Sequence, residues 1–135
     1  MTLHTYAASC HCGNVRIEAD IDLSTGTGKC NCSICTKAQI WGAMVKPDAF
    51  RLLSDPSEVI DYSFGSHRMH WPFCKTCGVR VYGHGNIPEA GGEFYSVSLA
   101  CLDDVNLGEL VEAPVKFADG RHDNWWNPPA ETRHL

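Results

Sequence analysis

Three thiols fall within six residues, Cys30-Asn31-Cys32-Ser33-Ile34-Cys35, in a C-x-C-x-x-C run. Residues two positions apart leave an extended segment on the same face, so Cys30 and Cys32 project together. A tight turn after Cys32 would bring Cys35 round to the same point. Convergent thiolates are the donor set of a soft or borderline cation such as Zn²⁺. Oxidation is a poorer use of them, because a C-x-C disulfide is strained and three thiols leave one without a local partner. Three ligands also leave one zinc position open for water or substrate, which suits chemistry better than scaffolding.

Four further cysteines form two pairs. Cys10-His11-Cys12-Gly13 is a second C-x-C, and Cys74-Lys75-Thr76-Cys77-Gly78 reads as a C-x-x-C-G zinc knuckle. Together Cys10, Cys12, Cys74 and Cys77 supply the Cys₄ set of a tetrahedral structural zinc. Such a site ties the start of the chain to its middle, across about sixty residues. Cys101 or a histidine could complete the three-cysteine set, although a small buried hydrophobe is the better reading of Cys101. His11, between two ligands, is expected to point away from their metal toward the surface. His67, His70 and His84 flank the knuckle and are candidates for acid–base work. A strand-edge or loop role is favoured for each, because no partner is visible.

A chain of 135 residues is expected to form one domain, residues 1–135, with a core of its own. No apolar run approaches the ~20 residues that span a bilayer. Met1 to Tyr6 lacks the basic region and apolar stretch of a secretory signal, so the expected location is the reducing cytoplasm. Eight cysteines there point to metal rather than disulfides. The formal charge is −5; seven thiolates and two Zn²⁺ ions, which add seven negative and four positive charges, make it −8. With 11 Lys+Arg and no basic run, the chain is poorly suited to neutralising nucleic-acid phosphates. Neither nucleic acid nor membrane is an expected partner.

The elements that must position these thiols read as short strands. Leu3 to Ser9 is a weak first strand. From Val15 the alternation is clean, with Val15, Ile17, Ala19 and Ile21 on one face and Arg16, Glu18 and Asp20 on the other. Ser33 to Gln39 fits a short helix, too short to be stable alone. Ile40–Lys46, Phe50–Leu53, Val59–Phe64, Val79–Tyr82 and Phe94–Ala100 read as strands, separated by Gly, Pro and Asp turns. Gly83 to Gly92 reads as a Gly-rich loop, and the chain beyond Asp103 as looser. Trp41, Phe64, Trp71, Phe73, Tyr82, Phe94 and Tyr95 are assigned to the core. Trp125 or Trp126, in a Pro-rich tail, could cover a pocket or simply pack. The class is all-β, with metal replacing part of the core.

Cys10-His11-Cys12-Gly13-Asn14-Val15-Arg16, the central cysteine run and Phe73-Cys74-Lys75-Thr76-Cys77-Gly78, in this order and spacing, resemble the glutathione-dependent formaldehyde-activating enzyme family. The domain of that family also occurs in centromere protein V. Val97 to Asp104 resembles the family's later strand and turn, and Asp119 to Trp125 resembles the tail of bacterial members. The resemblance implies a β-tent fold of stacked small antiparallel sheets with two zinc ions. It implies a structural zinc on Cys10, Cys12, Cys74 and Cys77, and a catalytic zinc with an open position on Cys30, Cys32 and Cys35. The implied activity is addition of glutathione to formaldehyde, giving S-hydroxymethylglutathione, which in reverse is a carbon–sulfur lyase reaction. Glutathione is anionic, and Lys46, Arg51, Arg68 and Arg80 are its candidate cations, unranked at this level.

Three functions compete. The first is a zinc enzyme acting at the carbon–sulfur bond of a small thiol adduct, with glutathione or another thiol as substrate. The second is a non-catalytic zinc-stabilised binding module, which the acidic balance and the lack of basic segments disfavour. The third is a thiol-redox or metal-buffering protein, which needs labile cysteines where seven are expected to be occupied.

Overall fold

The computed structural model describes residues 2–135. Its strands are β1 (His4–Ser9), β2 (Arg16–Ile21), β3 (Thr27–Cys30), β4 (Gly42–Val45), β5 (Phe50–Leu52), β6 (Val59–Ile60), β7 (Met69–His70), β8 (Phe73–Cys74), β9 (Tyr82–Ile87), β10 (Gly92–Ser98) and β11 (Val115–Ala118). Two six-residue helices interrupt them, α1 (Ser33–Ala38) and α2 (Leu107–Glu112). The strands form a three-stranded sheet β1-β2-β5, a six-stranded sheet β11-β3-β4-β10-β9-β7 and the two-stranded pair β6-β8. The all-β class therefore holds.

The core follows from the alternation in β2. Ile17, Ala19 and Ile21 are buried, while Arg16 is exposed and Glu18 and Asp20 are half-buried. They meet Val15, Val81, Val97 and Leu99 in one cluster. Phe50 of β5 stacks on Tyr95 of β10, with ring centroids 3.9 Å apart, and so joins the two larger sheets.

The structure corrects several readings of the sequence. Strand continues through Gly83 and Gly85 in β9, where a loop is expected, while residues 79–81 lie outside any strand. The reason is close packing. A Cβ on Gly83 would lie 3.1 Å from the Trp71 ring and one on Gly85 2.2 Å from Met69 Sδ, so glycine makes room for the side chains of the neighbouring segment. Val59–Phe64 shortens to two residues, and Phe64 is exposed rather than core. Beyond Asp103 the chain forms α2 and then β11. That last strand pairs with β3 in parallel, Val115 opposite Thr27 and Ala118 opposite Cys30, so the sheets are not purely antiparallel. No helix is long and apolar enough to cross a membrane among the described residues.

Candidate functional site

The chain brings seven thiols into two clusters. In the first, Cys10, Cys12, Cys74 and Cys77 have all four sulfurs within 4.8 Å of one another. Cys12 Sγ lies 3.6 Å from both Cys10 Sγ and Cys74 Sγ. Four Zn–S bonds of about 2.3 Å in a tetrahedron would set the sulfurs roughly 3.8 Å apart, close to this spacing. Two tight turns supply the geometry. Gly13 (φ 85°) and Gly78 (φ 79°) take the left-handed region, letting the Gly13 amide bond Cys10 O and the Gly78 amide bond Cys74 O. These turns aim backbone N–H groups at sulfur: Val15 N donates to Cys10 Sγ at 3.2 Å, and Cys77 N donates to Cys74 Sγ at 3.4 Å. The Cys77 amide holds the Cys74 thiol below its ordinary range, and the Val79 amide is the chief cause that brings Cys77 down to about 6. At Cys12 the Asn14 amide pulls downward, but burial and the neighbouring thiols outweigh it and push that thiol up to about 12.

The second cluster is Cys30, Cys32 and Cys35, again within 4.8 Å of one another. Cys30 ends β3, Cys32 caps α1 and Cys35 lies in its first turn. Cys32 N donates to Cys30 Sγ at 3.3 Å, and Thr36 N to Cys32 O at 2.9 Å, which starts the helix that turns Cys35 back. Hydrogen bonding from Cys30 and Cys35 draws the Cys32 thiol down to about 2. The same contacts keep protons on its neighbours: Cys32 pushes Cys30 up, and Cys30 followed by Cys32 pushes Cys35 up. Three thiolates repel at this spacing, so the cluster alone favours one; a bound divalent cation would favour all three as thiolates. Both donor sets fit zinc. Among the described residues no fourth Cys, His, Asp or Glu joins the second set.

Parallel pairing of β11 with β3 carries the following segment across this second cluster. Asn31, 6% exposed, is the clasp. Its amide donates to Ala118 O at 3.2 Å, its side-chain Nδ2 to Asp119 Oδ1 at 2.8 Å, and its Oδ1 accepts from Arg121 N at 3.0 Å. Arg121 Nε returns a bond to Asn31 O at 3.1 Å. A Cβ on Gly120 would sit 2.5 Å from the Trp125 ring and 2.6 Å from Cys30 Sγ. The indole and the thiol thus share the space above that glycine, while Trp126 is 88% exposed. Asn31, Asp119, Gly120 and Arg121 carry no metal-ligand or nucleophile signal. Only the order Asp119-Gly120-Arg121 in the tail marked the segment.

Cys101 joins neither cluster; its Sγ donates to Arg80 O at 3.6 Å, and burial pushes its thiol up. His11 is exposed, as expected of a residue between two ligands. His70 and His84 stack on adjacent strands with centroids 4.8 Å apart, His70 pairing with Asp61 at 2.6 Å and His67 with Ser63 at 2.7 Å. None of them belongs to a cysteine cluster.

The candidate cations separate. Arg51 forks onto Asp20 at 2.9 and 3.2 Å, and Arg68 pairs with Glu89. Lys46 is exposed at the rim of a groove with Leu3 and Met44. Arg80 makes no ion pair among the described residues and lines a cavity of about 340 Å³ with Trp71, Tyr82, Ser96, Ser98, Cys101, Ala38 at the end of α1 and the Gln39 and Ile40 that follow it.

An all-β chain with two cysteine clusters suited to zinc is the class this fold and site define. The match is to the family described as glutathione-dependent formaldehyde-activating enzyme, over residues 5–117, and the chain belongs to that family. It is also similar to the crystal structure of a Rhodobacter sphaeroides protein from a structural genomics programme. The two are 28% identical, with a TM-score of 0.68 over 82% of this chain and 99% of that one.

Proposed function

We propose that residues 1–135 form a single zinc-binding domain that adds a small thiol, such as glutathione, to formaldehyde or a related aldehyde. In this reading Cys10, Cys12, Cys74 and Cys77 hold a structural zinc, and Cys30, Cys32 and Cys35 hold a catalytic one. The single observation that carries it is the second cluster itself, three converged thiols with no fourth protein donor among the described residues. Zinc at that cluster supplies an open coordination position and lowers the pKa of a thiol that enters it, where a free thiol near 8.5 is only a few per cent ionised at neutral pH.

The chain's own residues do the positioning. Asn31 fixes the cysteine loop against the segment 118–121, and Trp125 walls one side of Cys30. A wall of this kind restricts the approach of the second reactant, and placement is the main rate gain for such an addition. In the overall reaction the S–H bond breaks, the sulfur bonds the aldehyde carbon, and the carbonyl oxygen gains the proton. Reversal makes the same chain a carbon–sulfur lyase. The family match supports glutathione and formaldehyde as the substrates to test first.

Zinc-edge X-ray absorption on protein loaded with two zinc ions, titrated with glutathione, tests this reading. One of the two zincs should gain a sulfur neighbour in the parent, and Cys32→Ser should abolish the change. Sulfur counts that stay constant throughout the titration would refute the thiol-binding site and leave a zinc-stabilised binding module.

A further inference from the structure

At its β7 edge the six-stranded sheet carries two histidines directly opposite one another. His70 of β7 pairs with His84 of β9, and their rings stack at 4.8 Å and 9°. The edge strand β7 is two residues long and follows a segment, 61–68, that is mostly exposed. Its ties to β9 are few: the two paired residues, and Asn86 N donating to Arg68 O at 3.0 Å. Arg68 also pairs with Glu89, and both of those groups keep their charge throughout the range in which histidine titrates.

The charges around the stack are unequal. Asp61, ahead of β7, bonds His70 Nδ1 at 2.6 Å, so one proton on the pair is compensated. His84 has no hydrogen-bond or ion-pair partner of its own among the described residues. On β10, Tyr95 lies beside it with ring centroids 5.6 Å apart, and Glu93 stands two residues before Tyr95. Tyr82 is the ionisable neighbour on β9, and His67, at the hairpin tip, is taken up by Ser63 at 2.7 Å. A second proton would set two cations 4.8 Å apart in a half-buried stack. Burial first, and His70 second, hold the His84 imidazole below its ordinary 6.5, outweighing the pull of Asp61 and Glu93.

The same strand runs straight into Trp71. That residue is 7% exposed, its ring packs against Gly83 of β9, and its indole Nε1 is buried. Trp71 and Gly83 also line the cavity beside α1, so the edge that carries the histidines supports a wall of that cavity.

We propose that the stacked His70–His84 pair is a pH-sensitive latch on the β7 edge, closed while the pair holds at most one proton and released when it takes up a second. The part released is β7 with Trp71, so mild acid loosens the cavity wall. This device stands apart from the thiol chemistry of the cysteine clusters. Its direction follows from a closed-state value below the 6.5 of a free imidazole. Closure is at full strength above about 6.5 and weakens as pH falls from there toward the His84 value, by at most about tenfold per pH unit for one proton.

Hydrogen exchange followed by NMR on the two-zinc protein tests the latch. The reporters are the Asn86 amide, bonded to Arg68 O, and the buried Trp71 indole N–H. The amides of β2, the central strand of the three-stranded sheet, are the control. Between about pH 7.5 and about pH 5.5, protection at both reporters, corrected for intrinsic exchange, should fall about 3- to 10-fold while β2 is unchanged. The His84 ring should titrate below 6.5 in the same samples. His84→Phe keeps a ring in the stack and removes the proton, and its reporters should show no fall. His70→Asn is the second variant and carries the test if His84→Phe does not fold. With no cation opposite, the His84 midpoint should rise and the fall in protection should shrink.

Protection that does not fall, or that falls equally in His84→Phe, would overturn the latch. A matching fall at β2 would overturn it as well, because the event is then global unfolding. So would a His84 midpoint at or above 6.5. A fall at Asn86 with the Trp71 indole unmoved would overturn the link to the cavity wall.

Discussion

Replacing Asn31 by Ala should loosen the three-cysteine cluster without touching a ligand. The side chain is 6% exposed and makes two hydrogen bonds, to Asp119 Oδ1 at 2.8 Å and from Arg121 N at 3.0 Å. At about 1 kcal/mol each, with a further contribution from the cavity left behind, the loss is about 2–3 kcal/mol. Against a typical total of about 5–15 kcal/mol this is survivable. For a chain of this size it lowers Tm by roughly 5–12 °C. The informative readout is metal retention. Zinc on the three-thiol cluster should pass to a chelator several-fold faster than in the parent, while the four-thiol zinc leaves at the parent rate. Asn31→Asp should fare no better than Ala, because it sets a second carboxylate against Asp119. Release of both zincs at parental rates in Asn31→Ala would refute the idea that the segment 118–121 holds the cluster together.

Gly120→Ala should disrupt the same cluster by steric means, since its Cβ would fall 2.5–2.6 Å from the Trp125 ring and Cys30 Sγ; quenched-to-free Trp fluorescence and zinc content check it, and parental values for both would argue against this packing. Cys32→Ser should lose or weakly hold one zinc, keep its melting transition largely intact and bring thiol–aldehyde turnover to background; outright unfolding would make the central cluster structural. Cys74→Ser should lose the other zinc and much of the fold, because a structural zinc contributes several kcal/mol or more, and unchanged melting with full zinc would remove Cys74 from that site. Asp20 should titrate at about 2 in an NMR experiment, held there chiefly by its hydrogen bonds from Arg51, and Arg51→Met should move the midpoint up toward 3.8. The sign follows from the lowered folded pKa. The pair stabilises above the unfolded value of 3.8 and loses that contribution as pH falls through about 2.

Cysteine spacing alone picked out the seven thiols that the fold gathers into two clusters. A C-x-C or C-x-x-C pair is a local object, and its turn geometry needs little beyond the next glycine, so each pair is legible before any fold is known, whereas bringing Cys10 and Cys12 against Cys74 and Cys77 is the work of the fold. The burial alternation from Val15 to Ile21 and the short helix over Ser33–Ala38 are local in the same sense. Long-range packing decided the rest. Gly83 and Gly85 read as loop residues because glycine has no strand preference of its own, yet Trp71 and Met69 occupy the space that side chains there would fill. Asn31 and Gly120 have no chemical signature, and become parts of the site only because β11 pairs in parallel with β3 across about ninety residues of chain. Among four cations of equal formal charge, only the tertiary structure gave Arg51 and Arg68 their acidic partners and left Arg80 beside an unpartnered indole. Charge and donor type are properties of a residue, but whether they are already satisfied is a property of its neighbours.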